Sequence, residues 1–433
     1  MSFAIPDHPW VDEGAAVRIA MTVATFENVS GLLLRVENES ILEVDLPKIE
    51  FSKKVGTIRS DLSVGANVAN SSSLMSNESL SHQGVTPLGL GFRLSRKELF
   101  NLGIEDEHMP SVVKPYVIGR DIVQRSEEKF IIDFFGLTKK QAQEKFPTVF
   151  QIVLEKVKPE REQKKRKSYR DNWWTFAEPR STLRPAIESI ERYIGTCRTA
   201  KHRVFTFIHS KTIPDAKIIA IGLEDAYFLG VLSSGVHTIW AVRSGGWLGV
   251  GNDSNYNHSA CFVKYPFPNA SQEKIQIIRE LGELLDAHRK KVQSTHPEIT
   301  ITGMYNLLEK LRAGEPFTDK DRKYNNKALV STLKQIHDDL DAAVLDAYGW
   351  PQDITDEQIL ENLVALNAER AEEERNGLIR WLRPEYQAPD EVKPKQITLQ
   401  VLPDKEGPII TPVDQQKWPA KPKAQLATIR DLL

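Results

Sequence analysis

Apolar residues recur along this chain in two rhythms, and the change between them falls near residue 270. Before it, apolar segments are short, rich in β-branched and aromatic residues and divided by turn formers, a pattern that predicts strands. Residues 15–24 make a nearly continuous apolar run after the turn-like Asp12-Glu13-Gly14, and 31–36 and 41–44 follow closely. They predict a meander of two or three strands, too small to be a domain by itself and resembling the end of a larger sheet. Further strands are expected at 130–134, 203–208 and 217–221. Short helices are expected at 95–102, with Ser95 and Glu98 at the capping-box positions, and at 139–146 and 148–157, divided by Pro147. Residues 224–232 read as helix, and 234–242 fit helix or strand. The Ser- and Asn-rich stretch 60–87 predicts a loop or a mobile segment.

Past residue 271 the period becomes helical. Ile275, Ile278, Leu281, Leu284 and Leu285 form one stripe, and Ile301, Met304, Leu307, Leu308 and Leu311 a second. Leu333, Ile336, Leu340, Val344 and Leu345 form a third, ended by Gly349-Trp350-Pro351, and 356–371 adds one more helix. The tail from Pro389 is rich in Pro and Lys, as a linker is, and 424–433 begins a helix. These segments divide the chain into 1–50, 51–270, 271–388 and 389–433, in an α+β fold.

Composition narrows the class. At 433 residues the chain exceeds a single small core, and a formal net charge of −2 argues against a protein that coats nucleic acid everywhere. The distribution is uneven: 156–203 is strongly basic and 338–374 is rich in acids. Cys197 and Cys261 are the only cysteines, which excludes a Cys-based zinc finger and makes a disulfide framework improbable. No basic patch precedes an apolar core at the start, and no apolar run approaches bilayer length. A soluble, cytoplasmic protein is the expectation.

Chemistry concentrates between residues 157 and 268. A dense cationic run (Lys156, Lys158, Arg161, Lys164, Lys165, Arg166, Lys167, Arg170) leads to Trp173-Trp174 and Pro179-Arg180. Such a run suits phosphates, but Glu155, Glu160 and Glu162 equally allow a solvated, ion-paired helix surface. If Trp173 and Trp174 lie on a strand they face opposite ways, so one is buried and the other covers a core or an interface. His237 and Trp240 share a face if their segment is helical, and a lone histidine there is ordinarily structural. The segment from Arg243 to Tyr256 mixes glycine with Arg, Trp and Asn. It reads as a base-probing loop or as an ordinary hairpin. No complete Gly-x-Gly-x-x-Gly, no Walker-type loop, no Pro-Pro dipeptide and no Gly-x-Ser-x-Gly elbow occurs; a compressed grouping such as Asp390, Glu391 and Lys393 does not make a nuclease site.

Several motifs in order resemble one family. Ile5-Pro6-Asp7-His8-Pro9-Trp10 and the run from Gly14 to Met21 resemble the closing strands of the catalytic domain in large single-chain adenine-specific DNA methyltransferases, similar to type II enzymes that fuse restriction and modification. Lys158-Pro159, Trp173-Trp174, Pro179-Arg180, Lys201-His202-Arg203, Leu232-Ser233-Ser234 with His237 and Trp240, and Phe262 to Pro268 resemble the target recognition domain of that family. The stretches 340–351 and 378–386 resemble its C-terminal helical domain.

The resemblance implies a mixed β/α target recognition domain followed by an α-helical domain, with a short N-terminal remnant of a methyltransferase sheet. It implies double-stranded DNA as partner, together with a methyltransferase catalytic domain or subunit that would use S-adenosylmethionine; no cofactor, metal or catalytic residue is assigned within this chain. Arg161, Lys164, Lys165, Arg166 and Arg180 are then expected on phosphates. Arg198, Lys201, Arg203, Arg243, Trp247, Asn252, Asn255 and Tyr256 are expected in a groove. A protein-interaction module without DNA contact, and a residual nuclease or methyltransferase with unfamiliar motifs, are the alternatives.

Overall fold

Strand structure begins before the first apolar run. The computed structural model describes residues 1–392, apart from 13–14, 27–28, 41–47, 60–61, 63, 125–127 and 249–252. The strands Phe3–Asp12, Ala15–Val23, Gly31–Ser40 and Lys48–Gly56 form one sheet, in which Phe3–Asp12 lies between the second and third. Phe3–Asp12 runs parallel to Gly31–Ser40, whereas the other pairs are antiparallel, so the expected simple meander is corrected. Pro6 and Pro9 masked this strand in the sequence. Its register shifts between Ile5 and His8, where an irregularity accommodates a residue that cannot donate to the ladder. The expected strand at 41–44 lies outside the described residues, as does the tail from 393.

The next sheet lies within the central region. Its strands run in the order Phe205–His209, Arg192–Cys197, Ile218–Ile221 and Ser81–Gln83, all antiparallel, with Ser81–Gln83 at an edge. Alternation divides its side chains cleanly. Ile194, Phe205, Phe207, Ile219 and Ile221 enter the large core shared with the helices. Tyr193, Ile208, Ile218 and Ala220 face the other way, onto Leu183 and Ile187 of the helix Leu183–Glu188. Burial on both faces is why 218–221 reads as an unbroken apolar run.

A separate lobe is built on a sheet ordered Ile213–Pro214, Val113–Val117, Lys129–Ile132 and Arg93–Ser95. Phe92, Phe130, Phe134, Phe150, Val153 and Trp173 fill its core. The helix Arg96–Asn101 carries the expected Ser95/Glu98 capping box, and Pro147 opens the helix Pro147–Lys156, where a missing N–H costs nothing.

The expected helices form, at Gln272–Thr295, Ile301–Arg312, Val330–Tyr348 and Asp356–Arg375, but Leu284 of the first stripe is exposed rather than buried. One helix, Asp319–Ala328, had no apolar stripe to betray it, and is started by a Thr318/Asp321 capping box. Segment 234–242 is helical, within Gly235–Gly245, and Ser234 accepts from the His237 N–H at its start. The composition change at 270 is not a gap in the core. Leu229 and Leu232 pack in one apolar cluster with Ile278, Leu285, Leu333 and Leu340. Glycines permit the contact: a Cβ at Gly230 would sit 2.7 Å from the Ile278 side chain, and one at Gly282 would sit 2.3 Å from the Ala226 carbonyl. No helix among the described residues is long and apolar enough to cross a membrane.

The Ser- and Asn-rich stretch is a second correction. Far from being a free loop, it straps the helices to the central sheet. Asn77 Nδ2 donates to the carbonyls of Phe262 (2.8 Å) and Tyr265 (2.7 Å). The N–H and carbonyl of Ser72 both meet the Asn367 amide at 2.9 Å, and the N–H groups of Met75 and Ser76 donate to Glu374. Leu74 and Leu80 anchor the strap in apolar surroundings. Its composition is polar because its partners are polar. Asn77→Ala is expected to destabilise the protein by about 1–3 kcal/mol, because two buried carbonyls lose their donor. Urea unfolding checks this, and an unchanged midpoint would contradict the strap's role.

Candidate nucleic-acid interface

Half of the cationic run is neutralised by its own neighbours. Lys156 pairs with Glu98 (3.7 Å), Lys158 with Glu162 (3.5 Å), Lys164 with Glu160 (3.6 Å) and Arg166 with Glu178 (3.0 Å). Arg170 donates to the carbonyls of Lys164 and Lys165. Arg161 is a clear correction. It is fully buried and donates to the carbonyls of Pro87 (3.1 Å) and Thr175 (2.7 Å), so no phosphate reaches it. Lys165 and Lys167 are exposed, and neither has an acidic partner within ion-pair distance among the described residues. Trp173 is buried in the lobe's core, and Trp174 stands edge-on to it while donating from Nε1 to the Leu137 carbonyl. Neither indole is a free stacking surface.

The glycine-rich loop is rooted by a small sheet. Trp247–Leu248 pairs with Asp253–Asn255, which pairs in turn with Thr199–Ala200. Gly245 lies so close to Asn255 that a Cβ there would meet its carbonyl at 1.9 Å, and Gly246 takes a φ of +71°. Trp247 joins the ribbon through its backbone, opposite Ser254, and Asn252 lies outside the described residues.

Several residues expected in a groove hold this ribbon instead. Arg203 Nη2 donates to the carbonyl (2.8 Å) and hydroxyl (2.9 Å) of Ser254, and Nη1 donates to the Cys197 carbonyl. Its guanidinium lies 5.2 Å from the centre of the Tyr256 ring. Tyr256 is 1 % exposed, with its hydroxyl 3.0 Å from His237 Nε2. Asn255 Nδ2 donates to the Gly245 carbonyl. Lys201 is exposed but bonded to Glu309 (3.0 Å) and Asn306 (2.8 Å) on the helix Ile301–Arg312. Arg203 and Tyr256 are thus corrected to internal supports, since their polar groups are already engaged inside the protein. Arg243 is half-buried in the last turn of the helix that leads into the loop.

Beside the ribbon, four elements bring two arginines and two histidines together. Arg198 follows the strand Arg192–Cys197 and is exposed; its backbone is pinned by bonds to the Lys217 carbonyl and from the Tyr256 N–H. Arg180 has a left-handed backbone, φ +54°, and its Nη2 donates to Gln83 Oε1 at 3.0 Å. His82 stands on the edge strand, its Nε2 3.0 Å from the Ser79 carbonyl and its Nδ1 3.3 Å from the Thr182 hydroxyl. His258 begins the short helix His258–Cys261, its Nδ1 3.4 Å from Ser81 Oγ. Burial, and then the charges of His82, Arg180 and Arg198, hold the His258 imidazole below its ordinary pKa. Burial does the same to His82. Among the described residues none of the four has an acidic partner within 4.0 Å, so the patch keeps a net attraction for anions. The sequence marked Arg180 and Arg198. It missed His82 and His258, lone histidines that belong to no motif and are close only in space.

Residues 66–269 match the family model described as MmeI, target recognition domain. The patch and the ribbon both lie inside that span. Among solved structures, the chain is similar to one described as the Type IIL restriction-modification enzyme MmeI in complex with DNA, with a TM-score of 0.62 at 16 % identity. The match covers 86 % of this chain and 46 % of that one, so the chain spans about half the length of this relative. At that identity the likeness is one of fold. No curated protein matches the chain.

Proposed function

We propose that this chain, whose residues 66–269 match the model of the MmeI target recognition domain, reads a short sequence in double-stranded DNA as the recognition portion of a restriction–modification enzyme. The observation that carries the reading is the unneutralised patch of Arg180 and Arg198 beside a glycine-hinged ribbon, both inside the family match. In this reading Arg180, Arg198 and the exposed Lys165 hold phosphates and set the register, while Arg243, Trp247 and Asn252 bring the loop to base edges. Lys164 and Arg166 add field from a distance, because acids already partner them. The helices 271–388 brace the recognition domain from behind.

The finer reading is that the DNA is positioned for methylation of adenine N6 by a catalytic domain or subunit that uses S-adenosylmethionine, in the cytoplasm. The cofactor does not fit the glycines described here. Gly89 and Gly91 are packing residues; a Cβ at Gly91 would meet Lys156 Cβ at 2.4 Å, leaving no cradle. No catalytic step is therefore assigned to this chain, whose part is to hold a duplex while a base is turned out elsewhere.

Titration against specific and scrambled duplexes over a salt series tests the reading. Arg180→Gln with Arg198→Gln is expected to weaken both duplexes alike and to lower the salt slope by about 2. Arg243→Ala is expected to cost about 1–3 kcal/mol at one base position only. A purified chain indifferent to duplexes at low salt would overturn the proposal, and would favour an interaction module instead.

A further inference from the structure

We infer that His82, Arg180, Arg198 and His258 form a single phosphate station, which grips one phosphodiester of the duplex and draws protons onto its two imidazoles as it does so. This rests on the duplex-reading function above and names the ligand group and the pH response of that site. The four side chains come from an edge strand, a left-handed turn, a strand end and a short helix, so their convergence is a property of the tertiary fold alone. Three of them are half-buried, and Arg198 is exposed.

The hydrogen bonds already present fix how each imidazole responds. In neutral His82, Nε2 donates to the Ser79 carbonyl, so Nδ1 accepts from the Thr182 hydroxyl. A proton added at Nδ1 reverses that bond and turns the Thr182 hydrogen outward, toward an anion. In His258, Nδ1 faces Ser81, and the other ring nitrogen, Nε2, is a donor when the ring is charged. The charged groups acting on His258 are His82, Arg180 and Arg198, and all oppose its protonation in the free protein. A phosphodiester remains anionic across this range and cancels that repulsion. Binding and protonation therefore favour one another, and by linkage each proton taken up adds up to about tenfold in affinity per pH unit lowered.

The test is fluorescence anisotropy of the full chain with a labelled duplex at constant ionic strength, from about pH 8 down to about pH 6, where imidazole ordinarily titrates. Wild type is expected to tighten several-fold or more across that span. His82→Gln with His258→Gln is expected to bind at the high-pH level throughout, with unchanged circular dichroism. His258→Gln alone, which leaves the His82 bonds intact, is expected to lose part of the response and serves if the double variant folds poorly. Equal wild-type affinity at both ends of the range, or a full pH response surviving in the double variant, would overturn the station while leaving duplex binding intact. Absence of duplex binding at every pH would overturn the underlying reading together with the station.

Discussion

Asp133→Ala is expected to destabilise the protein by about 3–5 kcal/mol, the usual cost of stranding one member of a buried ion pair. Asp133 is 4 % exposed and Arg184 3 %, and the carboxylate accepts from both Nη atoms of the arginine. The Phe135 N–H donates to the same carboxylate at 3.2 Å, and the Arg184 guanidinium lies 4.7 Å from the Phe135 ring centre. Lys114 also approaches the carboxylate at 3.6 Å, so removing Asp133 leaves two neighbouring cations without their shared acid. In the alanine variant the Arg184 charge stays buried with nothing to balance it. The pair also ties the lobe that carries Lys165 to the helix beneath the central sheet, so its loss is expected to loosen the two surfaces that flank the patch. Thermal and urea unfolding measure the effect. As a reference, Lys158→Ala breaks an exposed pair and is expected to cost less than about 1 kcal/mol. Similar losses in both variants would mean that burial of the Asp133 pair is not what makes it matter.

Acid is expected to unfold this protein through two buried histidines. His237 is wholly enclosed, with Nε2 beside the Tyr256 hydroxyl and its ring edge-on to Tyr265 at 4.4 Å. His337 is buried among the helices, with Nε2 2.8 Å from the Tyr305 hydroxyl. Burial lowers both from 6.5 to about 3, helped by Arg203 at His237 and by Arg289, Arg312 and His288 at His337. The folded protein therefore prefers both rings neutral, while the unfolded chain protonates them below 6.5. Stability is complete above 6.5 and falls as the pH drops from there toward 3, by about 1.4 kcal/mol per unit for each histidine. By about pH 4.5 the two together remove on the order of 5 kcal/mol, comparable with the whole stability of many domains. Urea midpoints measured at about pH 7.5 and about pH 4.5 check this, and His237→Gln should shrink the difference between them. If the midpoints coincide, the two rings are not kept neutral by the fold.

Helical periodicity from Ile275 onward determined four long helices, because each buries a continuous stripe against one core and leaves the rest to water. Ser95 with Glu98, and Pro147, likewise marked helix starts through chemistry that acts within a single turn. Ordered motifs also carried the family resemblance, since Trp173-Trp174, Pro179-Arg180 and Leu232-Ser233-Ser234 keep their spacing in any fold. What remained hidden depended on partners distant in the chain. Residues 72–77 read as part of a mobile stretch because the groups that order them, Asn367, Glu374 and the carbonyls of Phe262 and Tyr265, lie far away in sequence.

The same limit divides the candidate site. Charge and residue type marked Arg161, Arg203 and Tyr256 as readily as Arg198, and nothing local distinguishes a guanidinium that faces water from one enclosed by backbone carbonyls. By itself the amino-acid order determined where helices start, how the apolar faces run and which family the central region resembles, since those follow from neighbours within a few residues. Only the tertiary structure decided which cations stay unneutralised and that His82 and His258 stand beside Arg180 and Arg198. Desolvation and ion pairing are set by whatever is brought alongside in space, from elements as far apart as an edge strand and a short helix.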